Sequence, residues 1–455
     1  MLEVIILAAG HGSRMQSRTA KVLHTLGGQP LVCHVLDTAR QLGAGRIHVV
    51  VGHDAEAVTA AVAAADVVCH MQEQQLGTGH AVQQAIDACD AANTVLVLFG
   101  DVPLIQPDSL SQVVSAAASG MAMLAANLSD PAGYGRVLRD AQGNFQGVVE
   151  ERDASPDQKR LGEINTGVLA APAAILGRYL ERLGNNNAQG EYYLPDVLML
   201  AAADGETVTV VASDHALDCL GVNTPQQLEQ LERLYQGALA DQLLTQGVFI
   251  ADRSRLDIRG TLRCGRDVRI DVNTVFEGAV VLADGVTIGA NCVIANSGIG
   301  EGAQIHPFTH IEGAEIKAGA SIGPYARIRP GSVIDERAKV GNFVEIKNTH
   351  LGKAAKASHL AYLGDADVGS NSNVGAGTIT CNYDGANKFR TVLGDSVFVG
   401  SNSTLVAPVT IDSGGFIAAG STITDDVKAD QLAVARGRQR NVDGWRRPAK
   451  PEETD

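Results

Sequence analysis

The chain lacks the marks of several large classes of protein. Its 455 residues include seven cysteines, at 33, 69, 89, 219, 264, 292 and 381, with no C-x-x-C pair among them. An odd, dispersed set of this kind argues against a disulfide framework or a zinc site, and for reduced, structural thiols. No apolar run approaches the roughly 20 residues needed to span a bilayer. The apolar stretch VIILAA (4–9) has no basic flank before it and runs into glycine-rich sequence. It reads as a buried strand and not as a signal peptide, so no membrane insertion and a cytoplasmic location are expected. Positive charge is also scarce: a net charge of −15 argues against nucleic acid as a main partner, because neutralising phosphates needs a basic footprint.

What is present is organised in two textures. An apolar content of 45% is that of a globular protein, and the length implies two or three domains. Residues 1–226 carry a net charge of −12 and residues 227–455 only −3, so the basic side chains concentrate in the second half. In the first half VIILA (4–8), IHVVV (47–51) and VLVLF (95–99) read as strands buried on both faces. PLVCHVLDTARQL (30–42) and TGHAVQQAIDAC (78–89) carry apolar residues at helical spacing. Such alternation predicts an α/β domain with a mainly parallel, Rossmann-like sheet over 1–226, whose ligand lies beyond the strand C-termini. LEQLERLYQGALADQLLTQ (228–246), after Asn223-Thr224-Pro225, reads as one amphipathic helix with a capped start, and 227–247 is expected to link the halves.

From 248 to 455 the texture changes. Ile316, Ile322, Ile328, Ile334, Val340 and Ile346 recur at every sixth residue, as do Leu393, Val399, Leu405, Ile411, Ile417 and Ile423. Six residues suit a short strand plus a tight turn, with the aliphatic side chain inward. One such coil cannot bury its inner face alone, so coils must stack into a parallel β-helix. At three hexapeptides per coil, about 200 residues give about eleven coils. By itself this half could be a rigid spacer or a trimerisation stalk.

Between the two regular runs the beat slips. Leu351 comes one residue early, Ala357 and Leu363 continue in sixes, and Val368 is early again before Val374. The helix therefore persists through KAAKASHLAYLGDADVG (353–369), with a small alanine at one inward position and His359 two residues beyond it. That histidine has three readings: a solvated or capping residue, a zinc ligand with His306, His310 and His350, or a base. The zinc set has no recognisable spacing. An amine attacking a thioester must lose a proton, which a neutral imidazole is suited to take. Arg329 and Lys347 stand upstream, able to hold a phosphate. Downstream, the thirteen-residue gap from Thr380 to Leu393 implies a loop thrown out of the helix.

In the first half LAAGHGSRM (7–15) follows the first strand, with Arg14 and Lys21 nearby. Backbone N–H groups and fixed cations there suit an anion. The third glycine of a dinucleotide fingerprint is missing, as is any GxxxxGK[ST], so an ordinary strand-to-loop turn stays open. Asp101, at the tip of a buried strand, could hold a divalent cation between phosphates or simply form a turn.

Taken in order, LAAGHGSRM, Lys21-Val22-Leu23, Gln72-x-x-x-Leu76-Gly77-Thr78-Gly79-His80-Ala81, Gly100-Asp101-Val102-Pro103, Gly133-Tyr134-Gly135-Arg136, Glu163-Ile164-Asn165-Thr166-Gly167 and NNNAQGEYYLPD (185–196) resemble a family. It is that of the bacterial bifunctional N-acetylglucosamine-1-phosphate uridylyltransferases / glucosamine-1-phosphate acetyltransferases. One departure is Ala20 where the family usually has proline. The resemblance implies that Leu7, Ala8, Ala9 and Gly10 line a UTP site, with Arg14 and Lys21 on phosphates and Gln72, Gly77 and Thr78 on uracil, alongside Phe99 and Gly100. It places Mg²⁺ on Asp101 and Asn223, and N-acetylglucosamine against Gly135, Glu150 and Asn165. In the second half, a left-handed β-helix of hexapeptide repeats, it assigns Arg329, Lys347, Tyr362 and Asn373 to glucosamine-1-phosphate and His359 to proton acceptance. Ala376, Asn382, Tyr383, Ser401, Ala419 and Arg436 are then expected on acetyl-CoA, within a homotrimer whose acyl sites lie between subunits. On this basis acetyl transfer is expected to decline as pH falls through about 6.5, the unperturbed histidine value. The rival is another sugar-1-phosphate nucleotidyltransferase, with the β-helix only a regulatory or trimerisation scaffold.

Overall fold

The computed structural model describes residues 1–448, which cluster into two compact units divided between Ala238 and Leu239.

The first unit is built on a mixed sheet. Its strands are β1 (Leu2–Ala8), β2 (Arg46–Val51), β3 (Val67–Met71), β4 (Thr94–Phe99), β5 (Met121–Asn127), β6 (Gly135–Arg139), β7 (Phe145–Val149), β8 (Glu163–Pro172) and β9 (Val208–Ala212). The order β9-β5-β8-β4-β1-β2-β3 leaves β8 antiparallel to both neighbours and the other pairs parallel, while β6 and β7 form a ribbon off β8. The three apolar runs expected to be buried on both faces are β1, β2 and β4. Helices α1 (Leu31–Gln41), α2 (Ala55–Val62), α3 (Thr78–Ile86), α4 (Pro107–Ala116), α5 (Ala173–Leu180) and α6 (Asp196–Ala203) cover the sheet. Alternate residues of β1 feed two separate cores, Val4, Ile6 and Ala8 on one face and Ile5 and Leu7 on the other. A strand buried on both faces has to be apolar at every position, which is why these segments carry no alternation. The exceptions are Glu3 and His48, buried at the strand N-terminal end and bonded to each other at 2.9 Å.

Helix α7 runs Pro225–Thr245, beginning three residues before the apolar periodicity suggests. Its start is capped as expected: Thr224 Oγ accepts from the Gln227 N–H at 3.2 Å, and Gln227 Oε1 accepts from the Asn223 N–H at 2.8 Å.

The second unit is a left-handed parallel β-helix. One of its faces holds eleven strands among the described residues, one per coil, in the order of the chain. Ile322, Val340, Ala357 and Val374 stack as neighbours on that face, so a coil takes 18 or 17 residues and the early steps at Leu351 and Val368 are real shortenings. Ala357 is fully buried at its inward position. Val374 to Val399 spans 25 residues, and the excess over one coil is the loop around Tyr383–Lys388. The inward aliphatics form one continuous core from Val248 to Val427. Among the described residues, no helix is long and apolar enough to cross a membrane.

Candidate active sites

In the first unit two adjoining cavities open at the strand C-termini, of about 350 Å³ and 300 Å³. Lys21, Thr78, Phe99, Asp101 and Glu191 line both. One takes in Leu7, Ala9, Gly10, Gln72 and Gly77. The other takes in Arg14, Gly135, Glu150, Asn165 and Asn223. Of the residues expected at a UTP site, Ala8 points instead into the core and Gly100 lies under the first strand, its N–H donated to the Leu7 carbonyl.

Glycine at position 12 is required by two constraints together: its φ is +58°, and a Cβ there would lie 2.7 Å from Lys21 Cβ. The tight turn thus presses the loop against Lys21. The Lys21 ammonium is held by the Asp101 carboxylate and lies 3.1 Å from Asn223 Oδ1, which also accepts from Arg14 Nη2 at 2.9 Å. Two hard oxygen donors converging on one cation fit a site for Mg²⁺ as well as for an ammonium. Gln72 is buried and donates to the Gly77 carbonyl at 3.2 Å, fixing its side chain against the start of α3. Thr78 Oγ1 is held by the Leu194 N–H at 3.0 Å.

The second cavity is acidic. Burial, with the Asp196 and Asp153 carboxylates, pushes the Glu150 carboxyl above its ordinary range, and burial with Asp153 pushes Asp196 up to about 6. Asn165 lines this cavity, and its Oδ1 accepts from the Gly167 N–H at 3.0 Å. Arg136 is the largest fully buried side chain and donates to the Leu161 and Lys159 carbonyls at 3.0 and 3.1 Å and to that of Tyr134, so it fixes the backbone beside Gly135. Residue-by-residue reading gave no role to Tyr134, Glu191 or Tyr193, which also line the wall. Their signal was present in the motifs around Gly133 and Gly190.

In the second unit the two basic residues expected on the sugar phosphate, Arg329 and Lys347, are each matched by an acid. Arg329 Nη1 meets Glu345 Oε1 at 3.0 Å, and Glu345 stands in register with Tyr362 on the next coil. Lys347 Nζ meets Asp365 Oδ2 at 3.1 Å, and that contact raises the proton affinity of the lysine. Burial would lift the Asp365 carboxyl, but Asn348, Asn382 and Lys347 together hold it below its usual range. Asn382, at the root of the loop, is therefore buried and turned inward toward Asp365, while Tyr383 is 59% exposed. Ala376, Ser401 and Ala419 stack along one corner: the Asn402 N–H reaches the Ala376 carbonyl at 2.7 Å and the Gly420 N–H that of Ser401 at 2.8 Å. Arg436 Nη1 donates to the Ala419 carbonyl at 2.6 Å, so the basic tail lies along the same corner.

His359 is exposed, and its Nδ1 lies 2.7 Å from Asn342 Oδ1. Two of the three histidines considered as zinc partners have other contacts: His306 Nε2 meets Ser321 Oγ at 3.0 Å and His350 Nε2 meets Asp335 Oδ2 at 2.8 Å. Among the described residues, a group of metal-ligating side chains within 4.8 Å of one another occurs at Glu3, His48 and Cys89, at the opposite end of the first sheet from the cavities, and not around His359.

Comparison with known proteins agrees with this division. Residues 4–238 match the model of the MobA-like NTP transferase domain. The chain is 54% identical over 450 residues to the bifunctional protein GlmU of Paraburkholderia phytofirmans, covering 99% of each. It is 54% identical to that of Paraburkholderia xenovorans and 55% identical to that of Burkholderia pseudomallei, again with 99% of each chain covered.

Proposed function

The chain belongs to the family of bifunctional GlmU proteins, and from that premise we propose which residues carry each of its two reactions. It is a bifunctional nucleotidyltransferase and acetyltransferase of cell-wall precursor synthesis. The reading of the β-helix as a mere scaffold finds no support. The observation that carries the assignment is that each unit has its own chemically suited groups: converging cations and oxygen donors at strand tips in the first, and a histidine in the same run of coils as two paired basic residues in the second.

In the second unit glucosamine-1-phosphate is held through its phosphate by Arg329 and Lys347, with Tyr362 and Asn373 beside them. The amine attacks the thioester carbonyl of acetyl-CoA while His359 takes its proton, and CoA leaves as the thiol. Ala376, Asn382, Tyr383, Ser401, Ala419 and Arg436 receive acetyl-CoA, the last through phosphate charge.

In the first unit UTP lies along Leu7, Ala9 and Gly10, with the base against Gln72, Gly77 and Thr78 and the sugar of N-acetylglucosamine-1-phosphate against Gly135, Glu150 and Asn165. Its phosphate is already an anionic nucleophile, so attack on the α-phosphorus needs alignment and charge stabilisation and no base. Arg14 and Lys21 supply fixed charge. Asp101 and Asn223 would hold Mg²⁺, which neutralises charge on the phosphate oxygens. Pyrophosphate leaves and UDP-N-acetylglucosamine remains.

We also propose a cytoplasmic homotrimer. An apolar ladder supports the assembly: Phe308, Tyr325 and Phe343 stack at 4.8 and 5.3 Å, each about half exposed, and Leu360 extends the exposed row beside His359. Such a strip on a helix corner is a surface for a second copy to cover. Assaying both partial reactions on Asp101→Ala and His359→Ala tests the assignment. Each variant loses one reaction only; loss of both together from either substitution would contradict it.

A further inference from the structure

We infer that Asn342 is a positioning residue for acetyl transfer, holding the His359 imidazole in the tautomer whose Nε2 carries the lone pair. This rests on the assignment of His359 as proton acceptor.

The contact is built by the fold and not by a chance meeting of two surface side chains. Most strands on this face of the β-helix are two residues long, but Lys339–Asn342 and Lys356–His359 are four. Their extra length carries the pairing past Val340 and Ala357 to place Asn342 in register with His359. The Leu360 N–H then donates to the Asn342 carbonyl at 3.0 Å and closes the corner behind the pair. Glycine at 341 permits this approach, because a Cβ there would lie 1.9 Å from the Ser358 carbonyl oxygen. A two-residue extension of each strand beyond the ordinary length thus brings one amide against one imidazole.

The chemistry follows from the atoms. An amide oxygen accepts and cannot donate, so the Nδ1 facing it at 2.7 Å carries the hydrogen. The other ring nitrogen then holds the lone pair and is free to take the proton of an attacking amine. Asparagine suits this role better than aspartate. A carboxylate at that distance would favour the imidazolium and leave less of the free base near neutral pH, whereas an amide orients the ring without adding charge. Neither substrate needs to touch Asn342 for this.

The test uses the full chain. In ¹⁵N-histidine-labelled wild type, the His359 ring shifts should report hydrogen on Nδ1; an Nε2–H tautomer would overturn the inference without any variant. Asn342→Leu should mix the tautomers and lower the acetyl-transfer kcat by about ten- to a hundred-fold, while KM for both substrates and the uridylyl reaction stay near wild type. Asn342→Asp keeps the acceptor and, assayed at a pH alkaline enough for the ring to be the free base, should restore the Nδ1–H signal and much of the rate. Unchanged kcat in Asn342→Leu, or an equal loss in Asn342→Asp, would refute the positioning role. His359→Ala is the separating control: if it retains acetyl transfer, the base assignment itself fails, and if it abolishes transfer while Asn342→Leu does not, only this inference fails.

Discussion

The Lys21 ammonium sits against the Asp101 carboxylate, at the point where Asn223 Oδ1 also converges. A divalent cation using those two oxygens must displace the ammonium, which is then free to turn to a phosphate. Lys21→Met should therefore bind Mg²⁺ alone more tightly, by about tenfold for a pair worth ~1.4 kcal/mol, while binding UTP more weakly. Calorimetric titration of Mg²⁺ in the absence of nucleotide checks this. Unchanged or weaker Mg²⁺ affinity would mean that the lysine does not hold the cation position.

Asp101→Ala separates the two halves. It removes a carboxylate that lines both cavities of the first unit, so UDP-N-acetylglucosamine formation should fall by at least a hundredfold, about 2.7 kcal/mol in the barrier. Acetyl transfer should stay nearly intact. Separate assays of CoA thiol and pyrophosphate release measure both.

Much of this arrangement was legible in the sequence, for reasons that differ by residue. Val4 to Ala8 and Val95 to Phe99 are strands with two buried faces, and continuous apolarity records that locally. Counting in sixes located the inward side chains of the β-helix, and the two early steps at Leu351 and Val368 survive as coils of 17 residues. What counting could not find were partners. Asn342 meets His359 only because one coil returns the chain 17 residues later on an extended strand pair. Asp365 gathers Lys347, Asn348 and Asn382 from two neighbouring coils, and nothing in its own hexapeptide marks it. Glu191 and Tyr193 reach the second cavity from far along the chain, beside the Gly79 N–H bonded to the Tyr192 carbonyl at 2.8 Å. Burial of Glu3 and His48 was likewise invisible, because a charged residue opening a strand usually faces solvent.

That buried pair makes a pH-dependent prediction. Burial alone would raise the Glu3 carboxyl, but Asn93, the Asp90 N–H and His48 hold it down to about 2, against 4.5 for the ordinary group. A carboxylate with a depressed native value stabilises the fold fully above its unfolded value and loses that contribution as pH falls from about 4.5 to about 2. Glu3→Gln should destabilise the first unit by roughly 2–3 kcal/mol at pH 7, and the gap to wild type should close as the pH approaches 2. Thermal unfolding of the two proteins across that range measures it. A gap that is constant with pH would show that the carboxylate charge is not the stabilising element.

The apolar ladder carries the last prediction. Phe308, Tyr325, Phe343 and Leu360 occupy successive corners at φ of 61°, 55°, 56° and 45°, a backbone region that large side chains rarely adopt. Asparagine or glycine serves the equivalent corner in coils before and after them, at Asn273, Asn291, Gly377 and Asn402, so the fold does not itself demand aromatic residues there. Their backbone cost, of order 1 kcal/mol each, is offset in part by the stacking of the three rings on one another, and the ring faces left exposed are available for a contact outside their own chain. If they form the contact between copies, Phe343→Asp places a charge in that contact and should dissociate the assembly at micromolar concentration. Acetyl transfer should fall with dissociation, because His359 stands beside Leu360 at the same edge, while uridylyl transfer should hold. Phe343→Asn relieves the backbone without adding charge, and should leave the monomer unit at least as stable while weakening association less. Light scattering at several concentrations, run with both activity assays, distinguishes these outcomes. A dissociated Phe343→Asp chain with full acetyltransferase activity would show that each site is complete within one subunit.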